Sequence, residues 1–292
     1  MKAEQLTPSI TEHGEGPVWD SRGGRLLLVD MMAGDVLDLG DPDAPTGGAV
    51  RGRHAVGSSV AAALRPRQAG GFVVATERGF SLFDDHFERE RSVPDVLGDD
   101  GTRMNDGGCD PQGSFYCGTM AYDETPGAGA LYRLDPDGRT QRVFGGVGIS
   151  NGLQWSADGT SVYYVDTLTN RIDLFDFDGA DAVFSDRRGF VSIDPADGHP
   201  DGLAVDAEGG VWVALWQGGQ VRRYDGTGTL TEVVEVPGVT NTSAATFGGR
   251  DLGTLYITTS RQGIADDAEP AAGAVFAVNP GVAGRALPVF GG

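Results

Sequence analysis

Long apolar runs are missing from this sequence, and no stretch could cross a bilayer as a helix. The opening MKAEQLTPSITEHG also lacks an apolar core of signal-peptide length, so the expected location is the cytoplasm. Cysteine is scarce: Cys109 and Cys117 are the two thiols among 292 residues. A disulfide, a metal pair or a nucleophile can be built from two cysteines. Without an export signal, the simpler expectation is two reduced, small hydrophobes in one hairpin. Basic side chains number 22 against 42 acidic ones, a net charge of −20, and such a surface repels phosphate backbones and anionic lipid. Neither nucleic acid nor a membrane is an expected partner. No segment sustains an apolar period of about 3.6 residues over a dozen positions, so helices should be nearly absent.

What the chain has instead is glycine, 47 residues clustered in turns, and a recurring phrase. The clearest copy is NGLQWSADGTSVYYVD, Asn151 to Asp166: a polar residue, a short apolar strand, a turn on Asp158-Gly159, then a strand of β-branched and aromatic residues. Further copies begin at Glu15, Asn105 and Asp201, each on an acid or an amide. The separations from Glu15 to Asn105, Asn105 to Asn151 and Asn151 to Asp201 are 90, 46 and 50 positions. A degenerate copy near Ser58-Ser59-Val60 fills the long gap, and a sixth runs from Thr242 to Thr258. Six repeats of four short strands describe an all-β, six-bladed β-propeller with four-stranded antiparallel blades, one domain over residues 1–292. The lead around Ala3 to Ser9 is expected to return to the last blade and close the ring, and Leu287 to Phe290 is expected as that blade's final strand.

Loops alternate between the two ends of an up-and-down blade, so the start of each inner strand and the turn between its second and third strands share one face. Glu15, Asn105, Asn151 and Asp201 all stand at inner-strand starts and should converge on the central channel. The same face receives two long segments, Met120 to Gly129 and Arg261 to Ala272, suited to act as lids. Acids and amides crowded at a channel mouth call for a cationic partner. Glu15, Asn151 and Asp201 offer hard oxygens and a combined charge of −2, which suits Ca²⁺, with Mg²⁺ or Mn²⁺ as alternatives. Zn²⁺ ordinarily wants His or Cys. The competing reading is that these residues cap the inner strands and hydrogen-bond across the channel.

The phrases EGPVWD, RMNDGGCDPQGSFYCGTM, SNGLQWSADGTSVYYVD, HPDGLAVDAEGGVWVA and GGQVRRYD, in that order, resemble the family of senescence marker protein (regucalcin) and the sugar gluconolactonases. The resemblance covers nearly the whole chain. It implies a single divalent metal, calcium or zinc, held by Glu15, Asn151 and Asp201, and a sugar lactone contacted by Arg103 and Asn105. Relatives carry Glu in the loop after the GTM phrase, where this chain has Tyr122-Asp123-Glu124; the corresponding substrate contact falls to Asp123 or Glu124, with Asp123 the first choice. The implied reaction is hydrolysis of a gluconolactone or pentonolactone to the aldonic acid. The metal would act as Lewis acid, with Asp201 or metal-bound hydroxide as base and His199 as a reserve. Trp216 would floor the pocket, and His13 is expected on the surface. Gly148-Ile149-Ser150-Asn151-Gly152 fits a nucleophile elbow by pattern, but that elbow needs a helix after the serine and a strand follows here. Rival readings are a metal-dependent esterase or organophosphate hydrolase on the same ring, and a non-enzymatic calcium-binding propeller. A monomer or weak homo-oligomer is expected.

Overall fold

The structure, a computed structural model, describes residues 1–44, 47–93, 95–98 and 101–292. Six four-stranded antiparallel sheets stand in a ring. Blade 1 runs through Gly14–Asp20, Arg25–Asp30, Asp35–Asp38 and Gly52–Ala55, from the innermost strand outward. Blade 2 follows with Ala61–Pro66, Phe72–Thr76, Phe80–Phe83 and Arg89–Val93, and blade 3 with Thr102–Cys109, Phe115–Ala121, Gly129–Leu134 and Thr140–Val147. Blade 4 has Ser150–Trp155, Ser161–Asp166, Arg171–Asp178 and Val183–Ser192; blade 5 has His199–Val205, Val211–Trp216, Gln220–Tyr224 and Leu230–Glu235. Helix is confined, among the described residues, to three single 3-10 turns.

Blade 6 begins with Thr242–Gly248, Thr254–Thr259 and Val275–Val278, and its fourth strand comes from the other end of the chain. Glu4–Gln5 pairs antiparallel with it, Glu4 opposite Ala277 and Gln5 opposite Phe276. The expected return of the N-terminal lead is therefore present, and it covers an edge that would otherwise expose unpaired backbone. The expectation for Leu287 to Phe290 is corrected: this segment leaves blade 6 and crosses the far end of the ring. There the backbone of Phe290 bonds to Pro66 and Gln68, and Gly291 to Gly113. Arg285 also donates to the Trp155 carbonyl. The outer edge of blade 6 was already taken by Glu4–Gln5, so the C-terminal chain straps the floor of the channel instead.

The alternation of each strand explains the core. Inner-face residues such as Val18, Leu27, Val29, Leu64 and Val74 are fully buried between neighbouring blades. Each such side chain contributes roughly 1.5 to 3 kcal/mol relative to exposure. Every innermost strand packs on the innermost strands of both neighbours, which closes the ring around a narrow channel. Gly202 shows how tight the approach is: a Cβ there would lie 2.8 Å from the Ala244 Cα of the next blade.

Acids at the opposite end of these strands have a different task. Asp206 is fully buried, accepts from the Glu208 and Gly210 N–H groups and from Trp212 Nε1, and pairs with Arg223 at 2.7 Å. Asp110 likewise accepts from the Gln112 and Ser114 N–H groups and the Tyr116 hydroxyl. These carboxylates pin the turn after the inner strand, so the acids beginning a repeat and those ending its first strand are distinct groups.

Candidate active site

The inner strand slips its register against the second strand in all six blades, at the same height. The breaks fall between Glu15 and Val18, Ala61 and Ala63, Met104 and Gly107, Asn151 and Leu153, Pro200 and Leu203, and Thr242 and Ala244. A bulge interrupts the strict alternation of side chains and re-aims the residue beside it. Glu15, Asn105, Asn151 and Asp201 all sit at these breaks, and all four line one cavity of about 100 Å³ on the channel axis. The expected convergence of distant repeats is thus met by the fold. Arg103, Met120, Glu124, Thr167, Trp216 and Gln262 line the same space, so both long segments on this face contribute to it.

A chain of hydrogen bonds fixes the polar wall. Arg103 Nη1 donates to Asn105 Oδ1 at 2.7 Å and to the Met104 carbonyl at 3.1 Å. Asn105 Nδ2 donates to Asn151 Oδ1 at 2.9 Å and to the Ser150 carbonyl at 2.9 Å. Asn151 Nδ2 in turn donates to Thr167 Oγ1 at 2.8 Å, whose own proton goes to the Pro200 carbonyl. This sequence sets the amide of Asn151 with its nitrogen away from the carboxylates and its oxygen free to accept further.

The anionic half is less satisfied. Glu15 accepts from the Gly16 N–H at 2.8 Å. Among the described residues no donor reaches the Asp201 carboxylate, and neither it nor Glu15 has an ion-pair partner. Burial first, and then the nearby Asp106 carboxylate, push the Glu15 carboxyl up to about 8 in the protein alone, against the opposing pull of Gly16 and Arg103. Asp201 is raised well above the usual carboxylate range by burial, then by Glu15 and Asp106. Arg103 relieves Glu15 only in part, because its guanidinium is turned onto Asn105 and the Met104 carbonyl, and burial lowers its own pKa. The result is a buried carboxylate pair facing open space with no protein counter-ion. No three His, Cys, Asp or Glu side chains form a metal cage among the described residues. The third oxygen available beside Glu15 and Asp201 is the Asn151 amide, and this all-oxygen set matches a hard divalent ion.

Several expectations are redirected by the structure. Asp123 lies on the exposed side of its turn, where its carboxylate accepts from the Thr125 N–H, and the next residue, Glu124, faces the cavity instead. Glu124 takes a left-handed φ of 58°, which turns its side chain inward while Asp123 turns out. His13, expected on the surface, is 7% exposed and lines the cavity edge-on to Trp216, with ring centroids 5.7 Å apart. Burial, then the charge of Arg103, hold its imidazole down at about 3, so it is neutral. His199 is held off the cavity by Asn170, Nδ1 to Oδ1 at 2.6 Å. Ser150 is buried within a strand, receives the Tyr164 hydroxyl at 2.7 Å and is followed by a strand, so it is no nucleophile elbow. Cys109 and Cys117 are free and buried, and burial pushes both thiols up.

Asp106 escaped the sequence reading. It follows Asn105 directly, and in a regular strand adjacent residues face opposite sides. The bulge between Met104 and Gly107 removes that rule, so Asp106 is buried on the channel below Glu15 and Asp201. Arg65, whose guanidinium donates to the Gly107 carbonyl at 2.7 Å, is the nearest compensating charge. The Asp-Gly pair after Asn105 was the available signal, since glycine inside a strand marks a bulge.

Comparison with known proteins places the chain. The sequence profile described as the SMP-30/Gluconolactonase/LRE-like region matches residues 13–261. The chain belongs to that family. Within it, regucalcin of Danio rerio is 36% identical over 296 residues, covering 99% of this chain and 98% of the relative. Human regucalcin is 35% identical over 298 residues and covers 95% of this chain and 94% of its own. Among solved structures, a regucalcin from Agrobacterium tumefaciens described as a calcium-binding protein superposes with a TM-score of 0.89 at 29% identity, covering 99% and 97% of the two chains. Membership of the SMP-30/gluconolactonase family agrees with the six-bladed ring, and among the described residues no helix is long and apolar enough to cross a membrane.

Proposed function

We propose that the protein hydrolyses a sugar lactone, of gluconolactone or pentonolactone type, to the aldonic acid in a divalent-metal-dependent reaction. The observation that carries this reading is the buried Glu15 and Asp201 pair, facing a cavity without a protein cation and flanked by the oriented amide of Asn151. These three residues would hold the ion, Ca²⁺ first, with Zn²⁺, Mg²⁺ or Mn²⁺ as alternatives. Bound there, a divalent cation supplies Lewis-acid polarisation of an ester carbonyl and stabilises the charge that develops on its oxygen.

The protein's own groups do the rest. Arg103 and Asn105 are locked to each other; the remaining guanidinium N–H groups of Arg103 can donate to the hydroxyl groups of a polyol ring, and the Asn105 Oδ1, whose amide N–H groups are both taken, can accept from one. Trp216 and Met120 give that ring an apolar wall. Asp201, whose carboxylate has no donor from the described residues, takes the proton from the attacking water. Ionisation of Asp201 and Glu15 is uphill in the protein alone, so catalysis is expected to require the cation first. Asp201→Ala is expected to lower kcat/KM by at least a thousandfold, consistent with loss of both a base and a ligand. The test is a lactone panel run on chelator-treated protein and after addition of each of the four metals. Hydrolysis that survives chelation, or full activity in Asp201→Ala, would remove this reading; hydrolysis of phosphotriesters or aryl esters alone would favour the esterase alternative.

A further inference from the structure

Tyr122 does not line the cavity, yet it touches both the Arg103 guanidinium and the root of the segment that carries Glu124. Its N–H donates to the Gly101 carbonyl at 3.0 Å, one step beyond the pairing of Thr102 with Ala121, so it stands where the two inner strands of blade 3 part. The turn that follows closes on the Ala121 carbonyl, which accepts from the Glu124 N–H at 3.0 Å. Across the boundary to blade 2, the Tyr122 hydroxyl donates to Glu77 Oε1 at 2.6 Å. Glu77 is itself fixed: Oε2 accepts from Ser59 Oγ, its N–H donates to Ser58 Oγ at 3.1 Å, and its carbonyl accepts from the Met104 N–H at 2.9 Å.

The guanidinium needs a second constraint. Its hydrogen bonds, to Asn105 Oδ1 at 2.7 Å, the Met104 carbonyl at 3.1 Å and Met31 Sδ at 3.3 Å, all leave from Nη1. The side chain holds Nε and these bonds hold Nη1, which leaves the plane free to tilt about the line between them. The aim of the remaining N–H groups is then set by what lies against the face of the fork. Tyr122 lies there, with Arg103 Cζ 6.0 Å from the centre of its ring. The ring quadrupole attracts the cation, but it can fix a direction only if the ring is fixed as well. Tyr122 is 47% exposed, so packing alone does not hold it, and the Glu77 carboxylate does.

We infer that Tyr122 is a positioning residue for substrate binding: its ring, latched to Glu77, sets the tilt of the Arg103 guanidinium so that the free N–H groups meet the hydroxyl groups of the lactone ring. This rests on the lactonase reading and deepens it by assigning what selects a polyol ring. Among the described residues no hydrogen bond or ring contact links Tyr122 to Glu15, Asn151 or Asp201. Its effect should therefore fall on recognition of ring hydroxyls and spare both the metal site and the ester chemistry.

Steady-state assays of the metal-loaded enzyme test it with gluconolactone and a pentonolactone, and with δ-valerolactone, which keeps the ring ester and has no hydroxyl groups. Tyr122→Leu is expected to raise KM for the sugar lactone about five- to tenfold with kcat changed by less than about twofold, and to leave the rate with δ-valerolactone the same as in the parent. Tyr122→Phe keeps the ring and should raise KM about two- to threefold, as should Glu77→Ala; the double variant should be no worse than either, because both open one latch. Metal affinity by direct titration should be equal in all of them. A merely structural role would lower kcat and Tm together and impair both kinds of lactone, and that result would overturn the inference. So would an unchanged KM in Tyr122→Leu, or a Phe variant as impaired as Leu. Heteronuclear NMR of the Arg103 Nε–H, assigned by its loss in Arg103→Lys, reads the contact without substrate: the ring current should displace the signal in the parent and in Tyr122→Phe, and not in Tyr122→Leu. A signal that Tyr122→Leu leaves in place would overturn the role of Tyr122 alone. Absence of sugar lactone turnover by the parent with every metal would overturn the lactonase reading, and with it the substrate assigned to this wall.

Discussion

The carboxylate pair makes stability of the metal-free protein depend on pH in an unusual direction. Glu15 is raised from an ordinary 4.5 to about 8 in the folded chain, because burial and Asp106 both oppose its charge. A group whose folded pKa lies above its unfolded one favours the folded state at low pH, and that contribution is lost as pH rises through the folded value. The gap between 4.5 and about 8 corresponds to roughly 4 to 5 kcal/mol in the limit where Glu15 titrates alone. For a chain of this size that is roughly 10 °C in Tm. Chelator-treated protein should therefore lose stability steadily from about pH 5 to about pH 9. A bound divalent ion reverses the sign, because it binds the ionised carboxylates and its affinity rises as protons leave. Calorimetric Tm values across that pH range, with chelator and with excess Ca²⁺, would check it. The net charge of −20 adds a background of self-repulsion that also grows with pH, so the decisive comparison is with Glu15→Gln. That variant should be flatter and, at pH 8 without metal, more stable than the parent, while gaining nothing from Ca²⁺. A metal-free parent as flat as Glu15→Gln, or a variant less stable than the parent at that pH, would refute the reasoning.

Other consequences follow from the supporting groups. Thr167→Val removes the acceptor that orients Asn151 Nδ2, and metal affinity by direct titration should fall roughly tenfold to a hundredfold with little change in Tm. Gly107→Ala would put a Cβ 2.0 Å from the Tyr116 carbonyl oxygen, and is expected to cost roughly 2 to 3 kcal/mol in denaturant unfolding as the bulge carrying Asp106 is displaced. Deletion of residues 1–6 removes the outer strand of blade 6 and uncovers Val275–Val278, so Tm should drop and light scattering should reveal association; an unchanged Tm would show the ring closes without it.

Much of this architecture can be read from residues alone. The period of the repeat, the turn glycines and the strand alternation specify six antiparallel blades, because each blade repeats one local pattern. Strand limits such as Arg25–Asp30, Val211–Trp216 and Gln220–Tyr224 coincide with the apolar alternation itself. Counting loop parity was enough to gather Glu15, Asn105, Asn151 and Asp201, since that parity is a property of any up-and-down sheet. Local pattern could not place residues whose direction depends on a break in pattern. Asp106 joins the channel through a bulge, Glu124 replaces Asp123 through one left-handed residue, and His13 is buried by Trp216 and Ser260 from distant blades. The C-terminal strap is of the same kind, because its path was decided by an edge that the N-terminus had already filled. The repeat thus set which residues meet at the axis, and the closing of the ring decided how each one points and what charge it carries there.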